Sequence, residues 1–210
     1  MNCKLIKEDV VKYVNEFGSP LYIFHEKEFK ENYLNLLNTM KSIYPKYNIA
    51  YSYKTNYTPK IISIVKSLGG LAEVVSEMEY KLAKRIGYDN IDIIYNGPVK
   101  GDGLFEHILN GGIANIDSLD ELKTVIEFAK LHSEVHIKLA FRANVDIEQG
   151  YISRFGLDAY EDEGIKSEID EAFELVQSSN NIEVVGLHCH VGRSRSINAW
   201  KNRVRIMFKL

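Results

Sequence analysis

The sequence predicts an α/β fold of parallel β/α units, and three observations carry the prediction. Apolar runs of strand length alternate with longer segments of helical period from end to end. The short runs are mostly apolar, as strands buried on both faces are. No low-complexity linker or shift of composition breaks the alternation, so residues 1–210 read as a single domain.

Strands are expected at Leu21–Phe24, Asn48–Tyr53, Leu71–Val75, Ile91–Tyr95, Ile113–Ile116, Val135–Phe141 and Ile182–His188. Helices fill the gaps. Lys27–Ile43 places Phe29, Tyr33, Leu36, Leu37 and Met40 at helical spacing, and Pro59–Leu68, Glu77–Ile86, Leu104–Leu109, Leu119–Leu131, Ile165–Gln177 and Ala199–Leu210 continue the series. Three helix starts are marked in the sequence. Thr58 with Pro59 reads as an N-cap and an N1 proline, while Ser76 with Glu79 and Ser118 with Glu121 read as capping boxes. These junctions lie at the carboxyl ends of parallel strands, the rim where both open α/β sheets and (β/α)₈ barrels bind their ligands.

Composition narrows the function. Lys plus Arg number 26 against 29 Asp plus Glu, a formal net charge of -3, which gives no bulk electrostatic footprint for nucleic acid or an anionic membrane. The start, Met1 to Asp9, is charged and lacks an apolar signal region, and no run approaches the roughly 18 apolar residues of a membrane span, so the cytoplasm is the expected location. Cys3 and Cys189 stand in no metal-like or CxxC spacing, which suggests neither a disulfide framework nor a zinc site. Neither GxGxxG nor GxxxxGK[ST] occurs, so nucleotide-binding folds lose their main support.

Lys54 ends the second strand candidate, in Ala50-Tyr51-Ser52-Tyr53-Lys54-Thr55-Asn56. A strand-end lysine desolvated by a barrel interior offers a free amine for Schiff-base chemistry. Taken alone, a lysine there more often simply reaches solvent. Context comes from Gly186-Leu187-His188-Cys189-His190, where a period of 2 puts His188 and His190 on one side of the strand, so that an imidazole face can pack on a flat ligand. Two satisfied structural histidines are the plainer alternative, and no third ligand at the rim supports a metal. Gly192-Arg193-Ser194-Arg195-Ser196 combines backbone N–H groups, hydroxyls and guanidinium groups suited to an oxyanion, although such turns are usually solvated surface. Glu73, Asn96, Asp117, Arg142 and Asn144 are further rim candidates, each of which can equally be structural.

Seven stretches in order resemble one family. They are Tyr51-Ser52-Tyr53-Lys54-Thr55-Asn56, Glu73-Val74-Val75-Ser76-Glu77-Met78-Glu79, Asn96-Gly97-Pro98-Val99-Lys100, Ile116-Asp117-Ser118-Leu119-Asp120-Glu121-Leu122, Arg142-Ala143-Asn144, Ser153-Arg154-Phe155-Gly156-Leu157 and Gly186-Leu187-His188-Cys189-His190-Val191-Gly192. The chain is similar from about Pro20 to Trp200 to the fold-type III pyridoxal-phosphate (PLP) enzymes, the diaminopimelate, ornithine and arginine decarboxylase group related to alanine racemase. The last two stretches look most like diaminopimelate decarboxylase.

The resemblance implies an alanine-racemase-like (β/α)₈ TIM barrel with PLP as cofactor. It implies that Lys54 forms the Schiff base with PLP, that His190 stacks on the pyridine ring, and that Glu73 and Arg142 stand in the cofactor's polar surroundings. Where the family has Gly-Ser, this chain has Gly192-Arg193 and then Ser194, so Arg193 or Ser194 is expected at the cofactor phosphate. The implied reaction is loss of an α-carboxylate into the PLP electron sink, most like conversion of meso-diaminopimelate to L-lysine. The alternatives are decarboxylation of ornithine, arginine or carboxynorspermidine, or a non-catalytic PLP-binding protein. Family members are about twice as long, and the strand candidates amount to one leading strand plus about six of the eight a barrel needs. The expectation is therefore a barrel domain truncated at its C-terminal end, lacking the C-terminal β domain. A small amino-acid substrate and a homodimer of the complete enzyme are implied, with this chain inactive or nearly so in isolation.

Overall fold

Val10, Val11, Val14 and Phe17 recur at helical spacing, and they lie on α1 (Lys7–Phe17), an element that the charged start of the chain did not predict. The computed structural model describes residues 6–145, 153–159, 166–190, 192 and 196–210. It divides into two units, Met1–Ile49 and Ala50–Leu210. The first holds α1 and α2 (Glu26–Ile43), whose start is capped by His25, with Nδ1 accepting the Glu28 N–H at 3.1 Å. The expected strand at Leu21–Phe24 does not form: the backbone is irregular, with Tyr22, Ile23 and Phe24 exposed. An apolar run becomes a strand only where another strand can pair with it, and among the described residues all seven strands belong to the second unit.

The second unit alternates strand and helix as the sequence predicts. Its elements are β1 (Ala50–Ser52), α3 (Pro59–Ser67), β2 (Leu71–Val74), α4 (Glu77–Ile86), β3 (Ile93–Tyr95), α5 (Gly103–Leu109), β4 (Ile113–Ile116) and α6 (Leu119–Leu131), then β5 (Ile137–Asn144), β6 (Leu157–Asp158), α7 (Glu168–Gln177), β7 (Ile182–His188) and α8 (Ile197–Met207). The order is β1-β2-β3-β4-β5, all parallel, with β7 and the two-residue β6 both pairing with β5. Val74, Tyr95, Ile116, Leu139 and Phe141 are wholly buried and share one face by register, while Asn115, Ala140 and Arg142 are buried on the other, the two-sided burial that parallel sheets require.

Both capping boxes form, with one refinement. Ser76 and Ser118 accept the N–H groups of Glu79 and Glu121, but each glutamate reaches back past its cap: Glu79 Oε2 accepts the Val75 N–H and Glu121 Oε2 the Asp117 N–H, both at 2.8 Å. Pro59 opens α3 as expected. Thr58 does not cap it through its side chain, and Asn56 Oδ1 instead accepts the Thr58 N–H at 3.0 Å.

One side-chain bond reports the curvature of the sheet. Asn96, just past β3, meets His188 at the end of β7 at 3.2 Å, although β4 and β5 lie between them in the sheet. Three strand spacings on a flat sheet would separate those strands by roughly 14 Å. The strand ends therefore curl toward one another, and the rim of the sheet encloses a space.

Candidate active site

A cavity of about 430 Å³ opens among the carboxyl ends of the strands, a volume in the range of small-molecule sites. Lys54, Arg142, His188 and His190 line it, together with Val75, Pro98, Val145 and Phe155 as its apolar portion. Three of these charged or imidazole positions follow directly from the topology. Lys54 follows β1, Arg142 lies on β5, and His188 ends β7 in register with Arg142.

Lys54 is on the cavity wall and is exposed, the commoner of the two outcomes that the sequence leaves open for a strand-end lysine. The strand stops earlier than expected. Residues Tyr53–Thr55 turn as a 3-10 helix, closed by a bond from Thr55 Oγ1 to the Ser52 carbonyl at 2.7 Å, which lifts Lys54 out of the sheet while Tyr53 is wholly buried.

Arg142 is held from below and above. Its Nη1 donates to Asp117 Oδ1 at 2.5 Å, and its guanidinium stands 5.2 Å from the Phe155 ring centre. Phe155 is brought there by a pinned segment. Asn144 donates to the Ser153 carbonyl and to Asp158 Oδ1, both at 2.7 Å, and accepts the Ser153 N–H at 3.1 Å. Gly156 completes the approach at φ +91, because a Cβ there would lie 2.7 Å from the Arg142 carbonyl oxygen.

Glu73 is not on the cavity wall. It stands behind it, with Oε1 accepting from Asn96 Nδ2 at 3.0 Å, and Asn96 itself lines the cavity. Asn96 is backed in turn by Asn115, whose Nδ2 donates to Asn96 Oδ1 at 3.2 Å. Below the Gly97-Pro98 turn the buried Lys100 donates to the Gly97 carbonyl at 2.7 Å and to Glu121 at 2.6 Å.

Desolvation and neighbouring cations lower the pKa of both imidazoles. Burial foremost, then the positive charges of Arg142, His190 and Lys54, lowers the His188 pKa to about 4, with Asp117 opposing. His190, which is exposed, is lowered by its partial desolvation and by Lys54 and Arg142, with Glu73 opposing. Burial also raises the Cys189 thiol and the Glu79 carboxyl, the latter helped by Glu73 and opposed by the Val75 N–H bond.

Of the residues singled out in sequence, the structure thus brings Lys54, His190 and Arg142 to one cavity, and sets Glu73 one hydrogen bond behind it. Arg193 and Ser194 lie outside the described residues. Asn115, Phe155 and Arg203 also serve this region, and no spacing in the sequence marks them as doing so.

A parallel β/α sheet curled around an amine, two imidazoles and a buried guanidinium defines part of a (β/α) barrel with a small-molecule site at its rim. Residues 31–210 match the family described as "Pyridoxal-dependent decarboxylase, pyridoxal binding domain", and the chain belongs to that family, with pyridoxal phosphate as its cofactor. It is 32% identical over 202 residues to a diaminopimelate decarboxylase of Methanocaldococcus jannaschii, covering 88% of this chain and 44% of that protein. A diaminopimelate decarboxylase of Aquifex aeolicus is 30% identical over 188 residues, covering 84% of this chain and 42% of the relative. Among solved structures, the M. jannaschii enzyme in complex with L-lysine superposes with a TM-score of 0.80 at 27% identity, over 96% of this chain and 49% of that one. The chain thus spans about half the length of the relatives it matches, or less.

Proposed function

We propose that this chain is the cofactor-bearing half of an amino-acid decarboxylase that converts meso-diaminopimelate to L-lysine. The observation that carries the reading is the meeting of Lys54, Arg142, His188 and His190 on the wall of one 430 Å³ cavity. The residues present fit the cofactor. An exposed primary amine is available to a carbonyl, an imidazole face stands on the same wall, and the apolar lining suits a planar ring. Bound pyridoxal phosphate supplies the electron sink for the pair released as the α-carboxylate leaves.

The chain's own residues bind and orient. Lys54 would hold the cofactor through its amine, and His190, on the same cavity wall and with its pKa lowered by partial desolvation and by Lys54 and Arg142, would offer an imidazole face to the ring. Arg142 is fixed by Asp117 and Phe155 and presents a rigid cation to the polar edge of the site. Glu73 acts through Asn96 rather than by direct contact. The same reading places the protein in the cytoplasm, as a barrel domain that works in a homodimer.

A chimera in which this chain replaces the matching part of the M. jannaschii enzyme tests the substrate, with meso-diaminopimelate, ornithine, arginine and carboxynorspermidine offered in parallel. Lysine formed from the first supports the proposal. Turnover of one of the others alone overturns the substrate while keeping the decarboxylase reading.

A further inference from the structure

Asn96 joins three elements by one amide. Its Nδ2 lies 3.0 Å from Glu73 Oε1 and 3.2 Å from His188 Nε2, and its Oδ1 accepts from Asn115 Nδ2 at 3.2 Å. Both asparagines are buried, at 5% and 3% exposure, so water does not compete for these bonds. The amide has only one workable orientation. A carboxylate accepts and does not donate, so the NH₂ group must face Glu73, and turning the amide over would set its oxygen against the carboxylate and its NH₂ against that of Asn115.

The proton count then extends to the histidine. With one Nδ2 proton on Glu73, the second points at His188 Nε2, which must present a lone pair to receive it. A neutral imidazole carries a single proton, so in His188 it sits on Nδ1. That nitrogen is buried and has no hydrogen-bond partner among the described residues, which means that the tautomer is imposed from the Nε2 side. The contact spans 92 positions of sequence and crosses the inside of the curled sheet.

We infer that Asn96 is a positioning residue of the site, which shares its two amide protons between Glu73 and His188, fixing the carboxylate and holding the histidine as its Nδ1–H tautomer. The His188–His190 strand end is thereby tethered to the exit of β3, and His190 is held over the cavity by a residue that acts through its neighbour. The consequence for cofactor binding rests on the proposed function; the tautomer does not.

The test uses the 210-residue chain labelled with ¹⁵N-histidine and free of cofactor, with His188→Gln assigning the resonance. Long-range ¹⁵N–¹H correlation at neutral pH is expected to show His188 protonated on Nδ1 and bare on Nε2. A proton on Nε2, or an imidazolium, overturns the inference. Asn96→Asp replaces the NH₂ by an acceptor of the same shape, and it is expected to shift His188 to the Nε2–H or charged form and to weaken PLP binding at least tenfold. An unchanged His188 signature or unchanged PLP affinity in a folded Asn96→Asp protein overturns the positioning role. Should that variant not fold, Glu73→Gln, which can donate as well as accept, removes what fixes the amide, and a mixture of His188 tautomers is expected, with an unmixed Nδ1–H signal contradicting the proposal. Failure of the wild type to bind PLP at Lys54 instead overturns the cofactor reading, and the tautomer measurement decides the present inference on its own.

Discussion

Asp117 and Arg142 meet at 2.5 Å with side-chain exposures of 6% and 9%, so two opposite charges share one nearly dry position at the end of β4 and β5. Removing one partner leaves the other buried and uncompensated. Asp117→Ala is therefore expected to cost about 3–5 kcal/mol of stability by urea denaturation. Replacing both by apolar residues of similar volume, Asp117→Leu with Arg142→Met, is expected to cost far less than the sum of the single changes. Additive losses would show that the two side chains are not energetically paired.

Gly97 and Gly69 both hold positive φ, +95 and +76, but only Gly97 is crowded. A Cβ at Gly97 would lie 2.4 Å from the Val75 carbonyl oxygen, whereas nothing stands within 4 Å at Gly69. Gly69→Ala should carry only the left-handed backbone cost, about 1–2 kcal/mol. Gly97→Ala should exceed it by at least about 1 kcal/mol, because backbone must shift at the cavity edge. Equal losses in thermal or chemical unfolding would contradict the close approach.

The buried imidazoles predict an acid-sensitive fold. His107 and His188 both have pKa values lowered from 6.5 to about 4, in each case chiefly by burial. Between those values the unfolded chain binds protons that the folded chain refuses. Their contribution is thus complete above pH 6.5 and is lost as pH falls toward 4, at roughly 1.4 kcal/mol per pH unit for each histidine. Unfolding free energies measured across this window should decline on acidification. His107→Gln should flatten part of the slope, and a wild-type profile level between pH 6.5 and 5 would contradict it.

What the sequence made legible was local. Ser76 with Glu79 and Ser118 with Glu121 announce their helices within one turn, and both boxes form. The largely apolar runs Ile113–Ile116 and Ile182–His188 became strands at the expected bounds. The leading strand at Leu21–Phe24 failed because composition cannot say whether a neighbour exists to pair with it. The two-residue β6 is too short for any period to reveal. At the site, Lys54 and His190 stood out through motif resemblance, but the bonds that organise the wall were hidden. Asn96 is 23 residues from Glu73, 19 from Asn115 and 92 from His188, and only the curl of the sheet unites them. The point at which β1 gives way to the 3-10 turn that carries Lys54 was likewise out of reach.

The proposed function requires a cofactor site organised around Lys54, and reductive trapping reads it out. The purified chain is incubated with pyridoxal phosphate, reduced with borohydride and mapped by peptide mass spectrometry beside Lys54→Ala. Because Lys54 is exposed, its replacement should change stability by no more than about 0.5 kcal/mol, so loss of labelling cannot be ascribed to unfolding. The account predicts a pyridoxyl adduct confined to Lys54 and absent from the variant. Labelling spread over the surface lysines, or the same adducts in both proteins, would contradict it.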